Sequence, residues 1–283
     1  MEKLCKWYGI SRQAHYQKKE RQTLRQQDGE FICGEVERWR RFHPYMGGRK
    51  LYQVVAPGLA ARGIQIGRDR FFALLASHDL LVTARPRTRR TTWAGAWRCE
   101  NLLEGTEICQ PNQAWAADIT YLETDQGFCY LSLLTDVHSR YIVGFDVSTS
   151  LSVEGAERTL RQAVKSQAQL PKELLHHSDR GVQYTCRSYR RLLARYHIRS
   201  SMGQTGNCYD NALAERVNGI LKLEYRLDSR FSTIAQARLA VFQAIWLYNH
   251  ERPHLSLGYR TPYQLQQQHL RHQPLSKSTV FRA

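Results

Sequence analysis

The sequence has no apolar run approaching the roughly 18 residues of a membrane-spanning helix, and its N-terminus lacks the apolar core of a signal peptide. No membrane role is expected, and the cytoplasm, in association with the nucleoid, is the expected location. Cys-x-x-Cys pairs are also missing: the cysteines at 5, 33, 99, 109, 129, 186 and 208 are scattered through 283 residues. A chain of this size needs no disulfide staples, so a reducing compartment fits. His250 and His254 stand four apart, but Pro253 breaks the helical geometry between them and no Cys or acid pair accompanies them, which argues against zinc. Acids are scarce, 25 Asp and Glu against 41 Lys and Arg, for a formal charge of +16. Such an imbalance makes a polyanion the expected partner, nucleic acid first.

The first hundred residues are helical and basic. Leu4 to Gln13 reads as a helix end, a turn at Gly9 and a new helix capped by Ser11. This is the pattern of the second half of a helix-turn-helix, with Arg12 at the start of the groove-facing helix. Glu30 to Phe42 carries Phe31, Val36 and Trp39 and is expected to be a helix that stops before Pro44. A helical pair follows, Arg49 to Arg62, which Pro57 should kink or split, and Arg68 to Ser77. Arg68 and Arg70 would face phosphate or bases, or else form the solvated face of a plain bundle. From Thr83 the periodicity stops, and Arg85, Arg87, Arg89, Arg90 and Trp93 read as an extended linker suited to a phosphate backbone. The expected divisions are a partial helix-turn-helix at 1–28, a helical DNA-binding module at 29–83, a basic linker at 84–110, an α/β core at 111–228, and a helix with a basic tail at 229–283.

Within the core, Ala114 to Leu122 places β-branched and aromatic residues on alternate positions and reads as a strand. Phe128 to Thr135 and Tyr141 to Val147 complete an antiparallel meander. Helix Val153 to Ala168, strand Glu173 to Ser178, helix Ser188 to Tyr196, strand Ile198 to Met202 and helix Asn211 to Tyr225 follow. That order is the α/β arrangement of a ribonuclease-H-like fold, a mixed five-stranded sheet with flanking helices, here preceded by small all-α helix-turn-helix modules. It puts Asp118 on the central strand and Asp179 at the end of the strand beside it. Glu215 lies on the later helix, 35 residues separating it from Asp179, with Lys222 seven residues on at nearly the same azimuth. Three acids on separate rigid elements suit two divalent cations, Mg²⁺ or Mn²⁺, placed for in-line phosphodiester chemistry. Asp125, Asp136 and Asp146 read as turn and strand-end residues, and Asp210 as a helix cap or a neighbour of the site.

Four stretches carry a resemblance. They are Trp115 to Thr120; His177-Ser178-Asp179-Arg180-Gly181-Val182-Gln183-Tyr184; Gly206 to Ala212 with Glu215; and Tyr248-Asn249-His250-Glu251-Arg252-Pro253-His254 with Thr261-Pro262. Together they resemble the DDE transposases of bacterial insertion sequences, in particular the catalytic protein of the family with two overlapping reading frames, whose core is similar to retroviral integrase. The resemblance implies Asp118, Asp179 and Glu215 as the catalytic, metal-holding triad and Lys222 as a contact to terminal DNA. It also implies terminal inverted repeats and target DNA as partners, a homo-oligomer on paired ends, and an upstream helix-turn-helix and leucine-zipper protein as partner or fusion. The alternatives are a nuclease of the same fold, which would hydrolyse without joining, and a domesticated DNA-binding regulator, which would have lost an acid.

Overall fold

The computed structural model describes residues 7, 9, 11–82, 97–167, 170–203 and 212–272, with side chains to 268. Two compact units emerge, Met1–Ala84 and Arg85–Ala283. Among the described residues no helix is long and apolar enough to cross a membrane.

The first unit contains α1 (Arg12–Phe42), α2 (Gly48–Ala61) and α3 (Arg68–Ser77). Ser11 caps α1 as expected, its Oγ accepting the Ala14 N–H at 3.0 Å. The rest of that expectation changes. The helix runs unbroken for 31 residues, so the segment Glu30–Phe42 is its second half and the division expected at 28/29 falls inside it. Only the second half has an apolar stripe, where Ile32 and Val36 join Met46, Leu51, Val55, Leu59, Phe71 and Leu75 in one buried core. The helix stops at His43, ahead of Pro44. Pro57 does not split α2 into two elements: Leu51, Val55 and Leu59 form one buried i, i+4, i+8 stripe through it. The turn after α2 is a Schellman motif, in which Gly63, at φ +72°, donates to the Ala60 carbonyl and Ile64 donates to that of Leu59, both at 2.9 Å. A β-carbon at that φ would be strained, which is why glycine stands there.

The second unit is built on a five-stranded sheet of order β3-β2-β1-β4-β5. Its strands are β1 (Ala114–Thr124), β2 (Gly127–Asp136), β3 (Ile142–Ser148), β4 (Leu175–Ser178) and β5 (Arg199–Met202). β1 is antiparallel to β2 and parallel to β4, so it lies at the centre with its two neighbours running in opposite senses. β4 is only four residues long and wholly buried, as a parallel strand covered on both faces must be. Its two histidines survive burial by bonding sideways. His176 Nε2 lies 2.8 Å from the Tyr189 hydroxyl and His177 Nδ1 lies 2.9 Å from Ser201 Oγ. Burial drives the His176 pKa down to about 3, so it stays neutral.

Helices cover both faces. On one, α7 (Ala212–Glu224) and α8 (Ile234–His250) pack Val217, Ile220, Leu221, Val241 and Ile245 against Leu122, Leu131 and Leu133. On the other, α4 (Val153–Lys165) and α6 (Arg187–Arg195) bury Leu160, Tyr189 and Leu192 with Trp115 and Leu134. Two elements escaped the sequence reading. A single turn, α5 (Val182–Thr185), follows β4, and α9 (Pro262–His272) occupies what read as a polar tail after Gln264. Residues 97–110, expected to belong to the linker, instead lie against the sheet. Trp97 packs in the core under the Arg190 guanidinium, 4.5 Å from ring centroid to Cζ, and Ser201 Oγ accepts the Leu102 N–H at 2.9 Å.

The Tyr248–His254 stretch is a clamp. Asn249 bridges to the outer strand, its Oδ1 accepting the Ile142 N–H at 2.9 Å and its Nδ2 donating to the Ile142 carbonyl at 3.1 Å. Further along that margin, Gln162 Oε1 accepts the Phe145 N–H at 2.8 Å and Arg238 Nε donates to the Val147 carbonyl at 3.2 Å. Arg252, buried, forks onto both oxygens of Glu224 at 2.8 and 2.7 Å and reaches His254 Nε2 at 2.9 Å. The clamp thereby ties the end of α7 to the end of α8.

Candidate active site

Strand pairing brings the first two acids together. Ala117 on β1 is level with Ser178 on β4, so Asp118 and Asp179 follow side by side where β4 ends and β1 runs on. Ligand sites in sheets of this kind gather at the carboxyl ends of such strands. Each carboxylate is aimed by a short contact. Asp118 Oδ1 accepts the Ile119 N–H at 2.9 Å, and Asp179 Oδ1 accepts the Gly181 N–H at 2.9 Å.

The residues around Asp179 hold it. Ser178 Oγ donates to the Asp179 carbonyl at 2.9 Å, Arg180 Nε to the Gly203 carbonyl at 3.0 Å, and Gln183 Nε2 to the Leu151 carbonyl at 2.8 Å. Gly181 is glycine for want of room: a β-carbon there would lie 2.9 Å from Asp179 Oδ1. Gly181→Ala is therefore expected to turn the carboxylate aside and lower activity by about 10- to 100-fold, the usual cost of disturbing a group that orients a ligand. Circular dichroism and a thermal melt close to the parent's would separate this from unfolding.

Glu215 lies exposed in the first turn of α7, the end whose partial positive charge favours an acid. Asn218 and Lys222 share its helical face at i+3 and i+7. Asn218 is not singled out by the sequence, yet it is the side chain that joins helix to strand: its Nδ2 donates to Asp118 Oδ2 at 2.7 Å, while its buried Oδ1 has no hydrogen-bond partner among the described residues. The signal was its i+3 relation to Glu215. Lys222 is half-buried; the buried face of α7 is made by Ala214, Val217, Asn218, Ile220 and Leu221, with Leu213 half-buried.

The electrostatics follow from this crowding. Loss of hydration, then the Asp179 carboxylate, and last and least Glu215 push the Asp118 pKa up to about 7, against the bonds from Asn218 and Ile119. Burial lowers the Lys222 pKa, while the charges of Asp118 and Asp228 hold it up. The three carboxylates do not close into one cluster: among the described residues no group of three or more His, Cys, Asp or Glu is gathered tightly enough to hold a metal ion. The donor set nonetheless fits a hard divalent cation. It is all oxygen, and its two adjacent acids share proton affinity that a cation would replace.

The remaining acids have structural work. Asp136 is buried and accepts the N–H groups of Asn112 and Ser139, both at 2.6 Å, closing the β2–β3 turn. Asp146 is forked by Arg158 at 2.9 and 2.8 Å, and Asp125 meets Arg230 at 2.7 Å. Of the basic candidates, Arg12 and Arg70 are exposed and Arg68 is paired with Asp69 at 3.0 Å. Arg85, Arg87, Arg89, Arg90, Trp93 and Asp210 lie outside the described residues.

The sequence pattern of the integrase core domain matches residues 109–208, and a second integrase core domain pattern matches residues 196–262. An uncharacterised 31 kDa protein of insertion element IS600 from Shigella sonnei is 33% identical over 265 residues, 92% of this chain and 96% of that protein. The transposase for insertion sequence element IS629 from the same species is 31% identical over 90% of this chain and 85% of its own. Transposase InsF for insertion sequence IS3A of Escherichia coli is 37% identical over 77% of this chain and 71% of that protein.

Proposed function

The chain belongs to the integrase-core transposases of bacterial insertion sequences, and from that membership we propose that Asp118, Asp179 and Glu215 are the catalytic triad of a DNA strand transferase. The reaction read here is cleavage at terminal inverted repeats to expose a 3′ hydroxyl, followed by attack of that hydroxyl on another strand. The observation that carries this reading is the placement of Asp118, within the central strand β1, beside Asp179, just past the end of the parallel strand β4, with Glu215 and Lys222 on one face of the helix that Asn218 ties to Asp118.

In this reading the three acids would hold two divalent cations, Mg²⁺ or Mn²⁺, which would supply charge stabilisation for the attacking and leaving oxygens. The chain's own residues do the positioning. Asn218 and the Ile119 N–H fix the Asp118 carboxylate, and the Gly181 N–H fixes that of Asp179. Lys222 presents a cation for a terminal phosphate, and Arg12, Arg68, Arg70, Arg85, Arg87, Arg89, Arg90 and Trp93 serve to hold DNA. The active form is a homo-oligomer on paired ends in the nucleoid, with an upstream helix-turn-helix and leucine-zipper protein as partner or fusion.

The test uses the purified full chain and labelled duplexes carrying the ends of its own element. Cleavage and joining are expected with Mg²⁺ or Mn²⁺, to vanish in a chelator, and to fall by about 1,000-fold or more in Glu215→Gln. Metal-independent joining, or a fully active Glu215→Gln, would overturn the triad. Cleavage without joining would instead identify a nuclease of the same fold.

A further inference from the structure

Among the described residues, the first half of α1 has no core to rest on. Residues 11–27 are exposed apart from a half-buried His15, although the same helix is anchored by Ile32 and Val36 further along. A helix segment this polar is unusual unless something else covers it. At ~100° per residue, Arg12, His15, Lys18, Lys19, Arg21 and Arg25 all fall within one half of its circumference, and Glu20 and Asp28 fall in the other. The basic half also lines up with the stripe that Gly29, Ile32, Cys33 and Val36 bury lower down. One side of α1 is thus apolar where it meets the bundle and positive where it runs past it.

We propose that this stripe, residues 12–25 of α1, lies along the phosphate backbone of duplex DNA. The proposal rests on the reading that the protein acts on DNA and adds the surface that grips it independently of sequence. Charge fits the partner, and so does length: at ~1.5 Å per residue, residues 12–27 extend about 24 Å, a good part of the ~34 Å turn of a duplex. A second copy of the same helix is a poor occupant. Ala14, Tyr16 and Leu24 are the apolar residues of the segment and form no heptad seam, and two such stripes would repel. Because the side chains involved are exposed, their removal leaves the bundle's core untouched.

In the full chain, Lys18, Lys19, Arg21 and Arg25 would be replaced together by Gln, and binding to an end duplex and to an unrelated duplex measured across a salt series. Loss of up to four phosphate contacts is expected to flatten the slope of log K against log salt by about 3 and to weaken both duplexes alike. Lysine acetylation of the wild-type chain should show Lys18 and Lys19 protected by either duplex. Unchanged slopes with unprotected lysines, in a wild-type chain that binds DNA, would overturn the proposal alone. A wild-type chain that binds neither duplex would overturn the strand-transferase reading as well. A shift in sedimentation without a change in slope would assign the stripe to a second copy and also overturn it.

Discussion

Asp118→Asn is expected to abolish strand transfer, by on the order of 1,000-fold or more, and at the same time to make the metal-free protein more stable. The two effects have one cause. The Asp118 carboxyl sits at about 7 in the folded chain against an ordinary 3.8, because burial and Asp179 disfavour its charge. A raised carboxyl pKa means that the fold prefers the protonated acid. Stability is therefore full below the ordinary value and is lost as pH rises through 7. Asn is close to the protonated acid in shape and cannot ionise, so at pH 8 in chelator the variant should gain on the order of 2 kcal/mol, allowing for the partial exposure of the site. At pH 4 the gain should shrink toward zero. Mg²⁺ should raise the melting temperature of the wild type and leave the variant's nearly unmoved, since the variant has lost an acid that would hold the ion. End binding should persist, because the proposed function assigns it to basic residues elsewhere. An Asn variant that joins ends normally would remove Asp118 from the triad. One that is no more stable at pH 8 would mean that the site is not strained by its own charge.

Arg252→Ala is expected to destabilise the fold by about 3–5 kcal/mol in urea unfolding. The guanidinium is 3% exposed and its partner Glu224 18% exposed, so the pair is far from the water that makes surface ion pairs weak. Arg252 also carries the contact to His254 and so closes the turn after α8. Lys at this position should recover only part of the loss, because an ammonium cannot fork onto two carboxylate oxygens. A cost below about 1 kcal/mol would show that hydrophobic packing alone joins α7 to α8. Activity should fall with stability, since Glu215, Asn218 and Lys222 ride on the helix that this clamp holds.

Much of this was legible in the sequence for identifiable reasons. Period-two alternation marked β1, and an apolar run ending in an acid marked the end of β4; two strands paired in parallel must then bring Asp118 and Asp179 together. The features that escaped depend on the third dimension. Asn218 is an ordinary polar helix residue until one knows which strand its helix crosses. The continuity of α1 was hidden because its first half has no apolar period, and its helical state is carried by a cap and by the anchored second half. Pro57 read as a break because propensity penalises it, but the buried stripe of α2 outweighs one missing hydrogen bond. α9 falls within what reads as a basic tail, although Gln266 is buried and Leu265 half-buried.

The amide of Asn249 and its neighbours on the outer strand bear on how copies of this protein can meet. A sheet margin with idle backbone groups invites another strand to zip onto it, and a protein concentrated on DNA by charge would be at particular risk of such growth. Here the Ile142 N–H and carbonyl, the Phe145 N–H and the Val147 carbonyl are already bonded to Asn249, Gln162 and Arg238. A strand from another copy would therefore find this margin largely taken, which disfavours open-ended growth through it.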